Sequence, residues 1–328
     1  MKVRIEEARG TLPHVSERHQ VHIVNPAAGN GRLIEAVRRA IANTNGEVRE
    51  SAEPGDVTRI VRSLFEAEPT AHAVVYGGDG TVYEAVNGIM QSGANRTASF
   101  SVIPSGSGND FSTHANDSGI HPKSVMTPID VIRTESGTEV RYFANMMNIG
   151  FDCAVVAQTL RLKEKTFLRG SAAYIAGVAK ELFVKKTTDV EIACTECVDL
   201  ADGSELPDVH LRQKMLLTAA GNGSCCGGGF HALPLASLDD GYMDTLVVND
   251  VSRLRFVALV GDYRAGTYMD EQGVLDERFK KILRFVRCRK MRITGPARFC
   301  LDGEIFPTGE DRTVEAEVIP RALNYVPV

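Results

Sequence analysis

The 328-residue chain has no run of 18 or more uninterrupted apolar residues, so no transmembrane helix is expected and any membrane contact would be peripheral. It has no surplus of positive charge either. Its 37 Lys and Arg stand against 42 Asp and Glu, a net charge of −5, which argues against a nucleic-acid binder working through bulk charge. The opening MKVRIEEARGTLPHVSERHQ carries acids and lacks an apolar stretch, so it does not read as a secretory signal. Seven cysteines, an odd number in a chain this long, do not make a secreted disulfide framework; reduced thiols in a cytosol are expected. Cys194 and Cys197 form a lone CxxC with no second pair and no nearby His, and Cys225 and Cys226 read as small buried residues. Two nucleotide signatures are also missing. There is no GxxxxGK[ST], and no GxGxxG between a strand and a helix, which disfavours a P-loop ATPase and a Rossmann dehydrogenase.

Composition is that of an ordinary folded protein, 43% apolar and 24% charged, and the length predicts about two domains. Strand-like runs at 21–25, 46–50, 71–76 and 98–104 alternate with helical patterns: Leu33, Val37 and Ile41 on one face, then 55–68, then 82–90. That alternation predicts an α/β domain with a parallel sheet over residues 20–136. After about residue 136 strand-like runs dominate: RYFANMMNI, TDVEIAC, KMLLTAAGN, MDTLVVNDV, KMRITG and TVEAEVIP. Helical stretches near 152–184 and 253–268 interrupt them. The expectation is a β-rich, sandwich-like or barrel second domain over 137–311, with about 312–328 assigned to the first domain and 1–19 as an N-terminal extension.

Three Gly-rich loops follow predicted strands: Asn25-Pro26-Ala27-Ala28-Gly29-Asn30-Gly31, Gly77-Gly78-Asp79-Gly80-Thr81, and Pro104-Ser105-Gly106-Ser107-Gly108-Asn109-Asp110-Phe111. Ligands of open α/β sheets bind beyond the carboxyl ends of the strands, where these loops would lie. Glycine lets the backbone approach a ligand, and successive N–H groups before a helix N-terminus make an anion site. Hydroxyls of Thr81, Ser105 and Ser107 could donate to phosphate. Asp79 would repel phosphate unless a cation intervened, so it implies Mg²⁺. Any one of these loops could be only a tight turn; three at one sheet edge point to a phosphate cradle.

The segments NPAAGNGR, VVYGGDGTVYEAVNG, IPSGSGNDFS and LDGE resemble the motifs of the diacylglycerol kinase catalytic family, closest in pattern to its soluble bacterial lipid kinases. A GGDGT pentapeptide arises by chance about once in 10⁶ start positions. The resemblance covers about residues 20–325 and implies an NAD kinase/diacylglycerol kinase-like fold and an ATP-dependent lipid kinase. It implies that ATP is bound by Asn25, Pro26, Ala27, Ala28 and Gly29, and by Gly78, Asp79, Gly80, Thr81, Val82, Tyr83 and Glu84. Ser107 stands where the family usually has Thr, and Ser51 is a weaker single-residue match ahead of Gly55-Asp56. The resemblance also implies Glu304, of Leu301-Asp302-Gly303-Glu304, as the general base with Asp79 in the catalytic set. A carboxylate within hydrogen-bond reach can take the proton of a lipid hydroxyl. A second metal is implied on LDDGYMD, held by the Asp240 carboxylate and the backbone carbonyls of Ser237 and Tyr242. Asp239, Asp240 and Asp244 together could supply oxygens to a hard cation bracing the second domain.

Two segments are locally basic. Residues 161–186 carry seven Lys and Arg against two Glu, and 278–292 carry eight with no acid, with Phe167, Leu168, Phe183, Phe279 and Phe285 interleaved. They suit a lipid substrate at an anionic membrane surface. No recognition motif for nucleic acid accompanies the charge. The helical stretch 152–184 also offers apolar residues for an acyl-chain cleft. A cytoplasmic protein with peripheral membrane association is expected; a homodimer fits the sequence as well as a monomer. The competing readings are a soluble-substrate kinase of the NAD kinase type and a nucleotide-binding regulator without turnover.

Overall fold

The computed structural model describes residues 14–117, 125–165 and 187–328, apart from 32, 43 and 45. The first domain begins with β1 (Gln20–Val24), α1 (Ile34–Ile41), β2 (Glu47–Glu50), α2 (Asp56–Ala67), β3 (His72–Gly77), α3 (Asp79–Ser92), β4 (Ser99–Pro104) and α4 (Asp110–Asp117). Strand β1 pairs in parallel with β2 and β3, and β3 with β4. Strand β3 is buried throughout, as expected of a strand covered on both faces. Its Ala73 and Val75 pack against Val57, Val61, Val82 and Val86 of α2 and α3. Its Val74 and Tyr76 face the other way, onto Val37 and Ile41 of α1. Leu33, expected on that apolar face, sits just before the helix and is 46% exposed.

The chain goes on through β5 (Thr127–Ser136), β6 (Glu139–Phe143), β7 (Met146–Gly150), α5 (Phe151–Lys165), β8 (Thr188–Thr195), β9 (Cys197–Val198), β10 (Glu205–Leu206), β11 (Val209–Gly221) and β12 (Met243–Asn249). It continues with α6 (Arg253–Ala265), β13 (Leu283–Cys288), β14 (Lys290–Thr294), β15 (Arg298–Leu301), β16 (Glu304–Pro307) and β17 (Thr313–Tyr325). Long β17 joins the two layers: Asn324 and Tyr325 run parallel to β4, whereas Thr313–Glu317 pair antiparallel with β14. It also pairs antiparallel with β5 along its length, across an irregularity between Ile319 and Leu323. The first sheet therefore closes with antiparallel strands and is mixed, not wholly parallel.

Two antiparallel layers form the β-sandwich, β6-β5-β17-β14-β8-β11 and β16-β15-β7-β11-β12-β13. Strand β11 serves both: Val209–Met215 pair with β8, and Leu217–Gly221 with β7. Ile132, Phe143, Met147, Ile192, Met243, Val286 and Phe299 fill the space between them. The run RYFANMMNI is two strands, not one. It breaks at Ala144-Asn145, whose backbone N–H groups leave the ladder for the carboxylate of Asp302.

Candidate active site

The three Gly-rich loops meet at the carboxyl edge of β1, β3 and β4. Asn25 reaches across from the first loop, its Nδ2 donating to Thr81 Oγ1 at 3.0 Å, while its Oδ1 accepts from the Ala27 N–H. The second and third loops touch through glycine: a Cβ on Gly106 would stand 2.4 Å from the Gly78 Cα, so neither position has room for a side chain. Asp79 ties the same two loops together. Its carboxylate accepts the Asn109 N–H at 2.8 Å and the Phe111 N–H at 3.2 Å, and burial pushes it above the usual carboxylate range against those bonds.

The other wall of the cleft comes from the second domain. Strands β15 and β16 form a two-residue hairpin with Leu301 opposite Glu304. Asp302 and Gly303 both have positive φ, +46° and +92°, the geometry that makes Asp-Gly a favoured hairpin turn. Asp302 is buried and accepts N–H bonds from Ala144, Asn145 and Met146. Burial pushes its pKa up to about 7 against those three donors. The turn is thereby locked, and Glu304 projects toward the first domain. A Cβ on Gly80 would lie 2.7 Å from Glu304 Oε1, so the carboxylate rests on the first turn of α3 where only glycine leaves it room. Burial, and next the nearby Glu84, raise the Glu304 pKa.

The resulting cleft encloses about 520 Å³ and is lined by Asn25–Gly29, Ser51, Gly78–Thr81, Glu84, Ser107, Asp302 and Glu304 among others. Most residues expected to hold ATP thus share one cavity, facing Glu304. Three do not line it. Val82 is buried in the core of the first domain, and Tyr83 in that of the sandwich, its ring 5.7 Å from Phe306. They lie one and two positions past Thr81, where the helix has turned inward. Ser105, expected as a phosphate donor, is likewise buried. Glu84 does line the cleft, but its carboxylate already accepts the Gly55 and Val57 N–H groups at 2.9 and 3.0 Å and caps α2.

Five lining residues are acids (Glu53, Asp79, Glu84, Asp302 and Glu304), and among the described residues none is Lys, Arg or His. A triphosphate in such a cleft requires a cation, and Mg²⁺, which takes one or two carboxylates plus phosphate oxygens, fits the donors present. Asp302 and Asp110 stand within the sequence motifs, but their spacing along the chain signals no role for them. Asp110, at the start of α4, accepts the Gly228 N–H at 3.0 Å and links that helix to the second domain; burial and the Asp79 charge push it up to about 7.

The LDDGYMD segment is arranged differently from the expectation of three acids around a cation. Asp244 is bound by the Arg287 guanidinium at 2.7 and 3.1 Å, and Asp240 lies 3.3 Å from the same guanidinium. Ser237, Asp240 and Tyr242 do share one turn, with Asp240 Oδ1 accepting the Tyr242 N–H at 3.0 Å. Among the described residues no group of three His, Cys, Asp or Glu could hold a metal ion. The Arg287 guanidinium supplies a fixed positive charge to Asp244.

The basic segment 161–186 lies outside the residues whose side chains are described. Segment 278–292 is not one patch: Arg278, Lys280, Arg287, Lys290 and Arg292 are each paired with an acid. The alternation of β13 and β14 sends its residues to opposite faces, which a count along the chain does not register. Among the described residues no helix is long and apolar enough to cross a membrane.

Residues 19–144 match the family described as "Diacylglycerol kinase catalytic domain", and residues 145–326 that described as "YegS C-terminal NAD kinase beta sandwich-like domain". The chain is 29% identical to a "Probable lipid kinase YegS-like" of Shewanella frigidimarina, over 85% of this chain and 84% of the relative. It is 31% identical to the protein so named in Pseudomonas syringae pv. syringae, over 67% and 69%. A diacylglycerol kinase crystal structure from Bacillus anthracis str. Sterne shares the fold at a TM-score of 0.60 and 20% identity, covering 95% of this chain and 97% of that one.

Proposed function

This chain belongs to the diacylglycerol kinase catalytic family, with the YegS-type sandwich as its second domain, and is a lipid kinase; we propose that it moves the γ-phosphate of ATP onto the hydroxyl of a lipid such as diacylglycerol, with Glu304 as general base. One observation carries the assignment of the base: the Glu304 carboxylate of the second domain rests on Gly80, at the N-terminus of the helix that follows GGDGT. That position puts a proton acceptor opposite the amides that would hold the phosphates. A lipid hydroxyl is neutral and loses its proton as it attacks phosphorus, and an acceptor within hydrogen-bond reach speeds such a step by about 10²–10⁴.

The chain's own residues then divide the work. Backbone N–H groups at the Gly78–Thr81 turn bind phosphate oxygens, aided by the positive end of α3, with the Asn25–Gly29 loop walling the other side of the cleft. The Asn25–Thr81 bond holds those two loops in register. Asp79 would hold Mg²⁺ together with the phosphate oxygens, and the ion would neutralise phosphate charge. Asp302 keeps the Glu304 turn rigid. Because burial raises the Glu304 pKa, the acidic limb of the rate profile should lie above the range of an ordinary glutamate.

The test is transfer of labelled γ-phosphate into a panel of diacylglycerol, sphingoid base and other long-chain alcohols, with Glu304→Gln as control. The variant should turn over about 10²–10⁴-fold more slowly, with the KM for ATP changed little. Incorporation equal to wild type would remove Glu304 from the reaction. Transfer confined to soluble acceptors would instead favour the NAD kinase-type reading.

A further inference from the structure

We infer that the N-terminal half of α6 is the surface that meets the membrane, its outer apolar stripe entering the acyl region of an anionic leaflet. The choice of a bilayer as occupant rests on the lipid-kinase reading above; the surface itself is read from the helix.

Helix α6 is apolar on two sides. Phe256, Val260 and Tyr263, at positions i, i+4 and i+7, point inward. The Phe256 ring lies 5.1 Å from that of Phe151, and the Tyr263 hydroxyl donates to the buried Asp152 carboxylate at 2.9 Å. Leu254, Val257, Ala258 and Gly261 form the opposite stripe at helical spacing and are all exposed. Leu254 is 85% exposed and Val257 52%, the first being the most exposed large apolar side chain among the described residues. A globular surface ordinarily puts polar residues there, so the stripe calls for an apolar partner.

Charge selects which one. Arg253 and Arg255 flank Leu254 and are exposed, as are Lys281 and Arg284 on the segment packed beside the helix; Asp250 stands at its base, and Asp276 and Glu277 of that segment are paired with Arg278 and Lys280. The helix's own acid, Asp262, is taken by Arg278 at 3.1 Å. A positive rim around an apolar stripe, in a chain of net charge −5, complements an anionic leaflet. The α6 interior also leads to the chemistry. A small apolar gap of about 30 Å³ lies under Phe256 and Val260. The apolar cluster around it extends to Met146, whose N–H holds Asp302 at the base of the Glu304 turn. An acyl chain parting α6 from this cluster would follow apolar side chains toward the catalytic turn. The helix is fastened at its C-terminal end by Tyr263 and by the bond from His231 N–H to the Arg264 carbonyl, so its N-terminal half is the end placed to insert.

The experiment is flotation of the full chain with phosphatidylcholine vesicles with and without about 20% phosphatidylglycerol. It is paired with phosphate transfer to vesicle-borne dioleoylglycerol and to dispersed short-chain dihexanoylglycerol. Leu254→Asp/Val257→Asp should weaken partition at least about tenfold and lower vesicle-borne turnover in step, leaving the short-chain acceptor within about twofold. Arg253→Ala/Arg255→Ala should cost about 30-fold, on anionic vesicles only. Both variants floating like wild type would overturn the inference. So would light scattering showing that the Asp variant splits a dimer while flotation is unchanged. If wild type floats and responds as stated but transfers phosphate to neither acceptor, the surface stands and the lipid-kinase chemistry falls.

Discussion

Gly80→Ala is the sharpest probe of the catalytic geometry, because one added methyl acts on a residue from the other domain. The new Cβ would stand 2.7 Å from Glu304 Oε1. An ordinary contact needs about 3.4 Å, so the carboxylate must retreat by roughly 0.7 Å. Misplacement of about 1 Å costs about 10²-fold, equivalent to about 2.7 kcal/mol of transition-state stabilisation. Turnover should therefore slow by roughly one to two orders of magnitude, with the KM for ATP changed less than about threefold. Stability should not fall, since Gly80 has no positive φ and lies inside α3, where alanine is worth up to about 1 kcal/mol over glycine. The assay is steady-state kinetics over a matrix of ATP and lipid concentrations, alongside thermal melts. Adding Gly80→Ala to Glu304→Gln should produce little further loss, because both changes act on one group. A raised KM for ATP with normal turnover would mean that the methyl meets the nucleotide and not Glu304. Additive losses in the double variant would likewise refute the reasoning.

Glu84→Ala leaves the Gly55 and Val57 N–H groups unpaired at the start of α2 and should cost about 1–2 kcal/mol in urea unfolding, with Glu84→Gln costing less. Asp302→Asn turns an amide NH₂ toward backbone donors that now meet a carboxylate. It should lose about 1–3 kcal/mol of stability and also slow turnover by loosening the Glu304 turn; unchanged melts would argue against the lock. Asp152 is buried and accepts a hydrogen bond from the Tyr263 hydroxyl, and burial raises its pKa from 3.8 to about 6. The folded state therefore keeps a proton that the unfolded state releases. Its contribution to stability is full below about pH 4 and lost as pH rises through about 6. Asp152→Asn should flatten that part of the profile and gain up to about 3 kcal/mol at pH 8. Urea titrations at pH 5 and pH 8 giving parallel shifts would contradict this.

The alternation of strand and helix up to residue 104 was legible because each element carries its own period. Strands β1 to β4 and helices α2 and α3 fall within a few residues of where the pattern puts them. The β-rich character of the second domain was legible too, but not its breaks. Nothing in RYFANMMNI signals that Ala144 and Asn145 give their N–H groups to Asp302, more than 150 residues later. The run 278–292 does not form one patch because a count along the chain ignores strand alternation, and the partners of Arg287, Lys290 and Arg292 come from other strands. The engagement of Asp244 was not legible either, because its partner Arg287 lies on another strand.

Local chemistry written along the chain was enough to mark the three glycine-rich loops, the order of strands that would carry them, and the acid of the Asp-Gly turn, because glycine and turn requirements are met within a few residues. Folding alone decided that the Glu304 carboxylate would stand on Gly80, that Glu84 would cap α2, and that α6 would keep an apolar stripe uncovered. Those outcomes depend on which distant backbone groups and side chains the two domains bring within a few ångströms of one another, and spacing along one chain does not encode such distances.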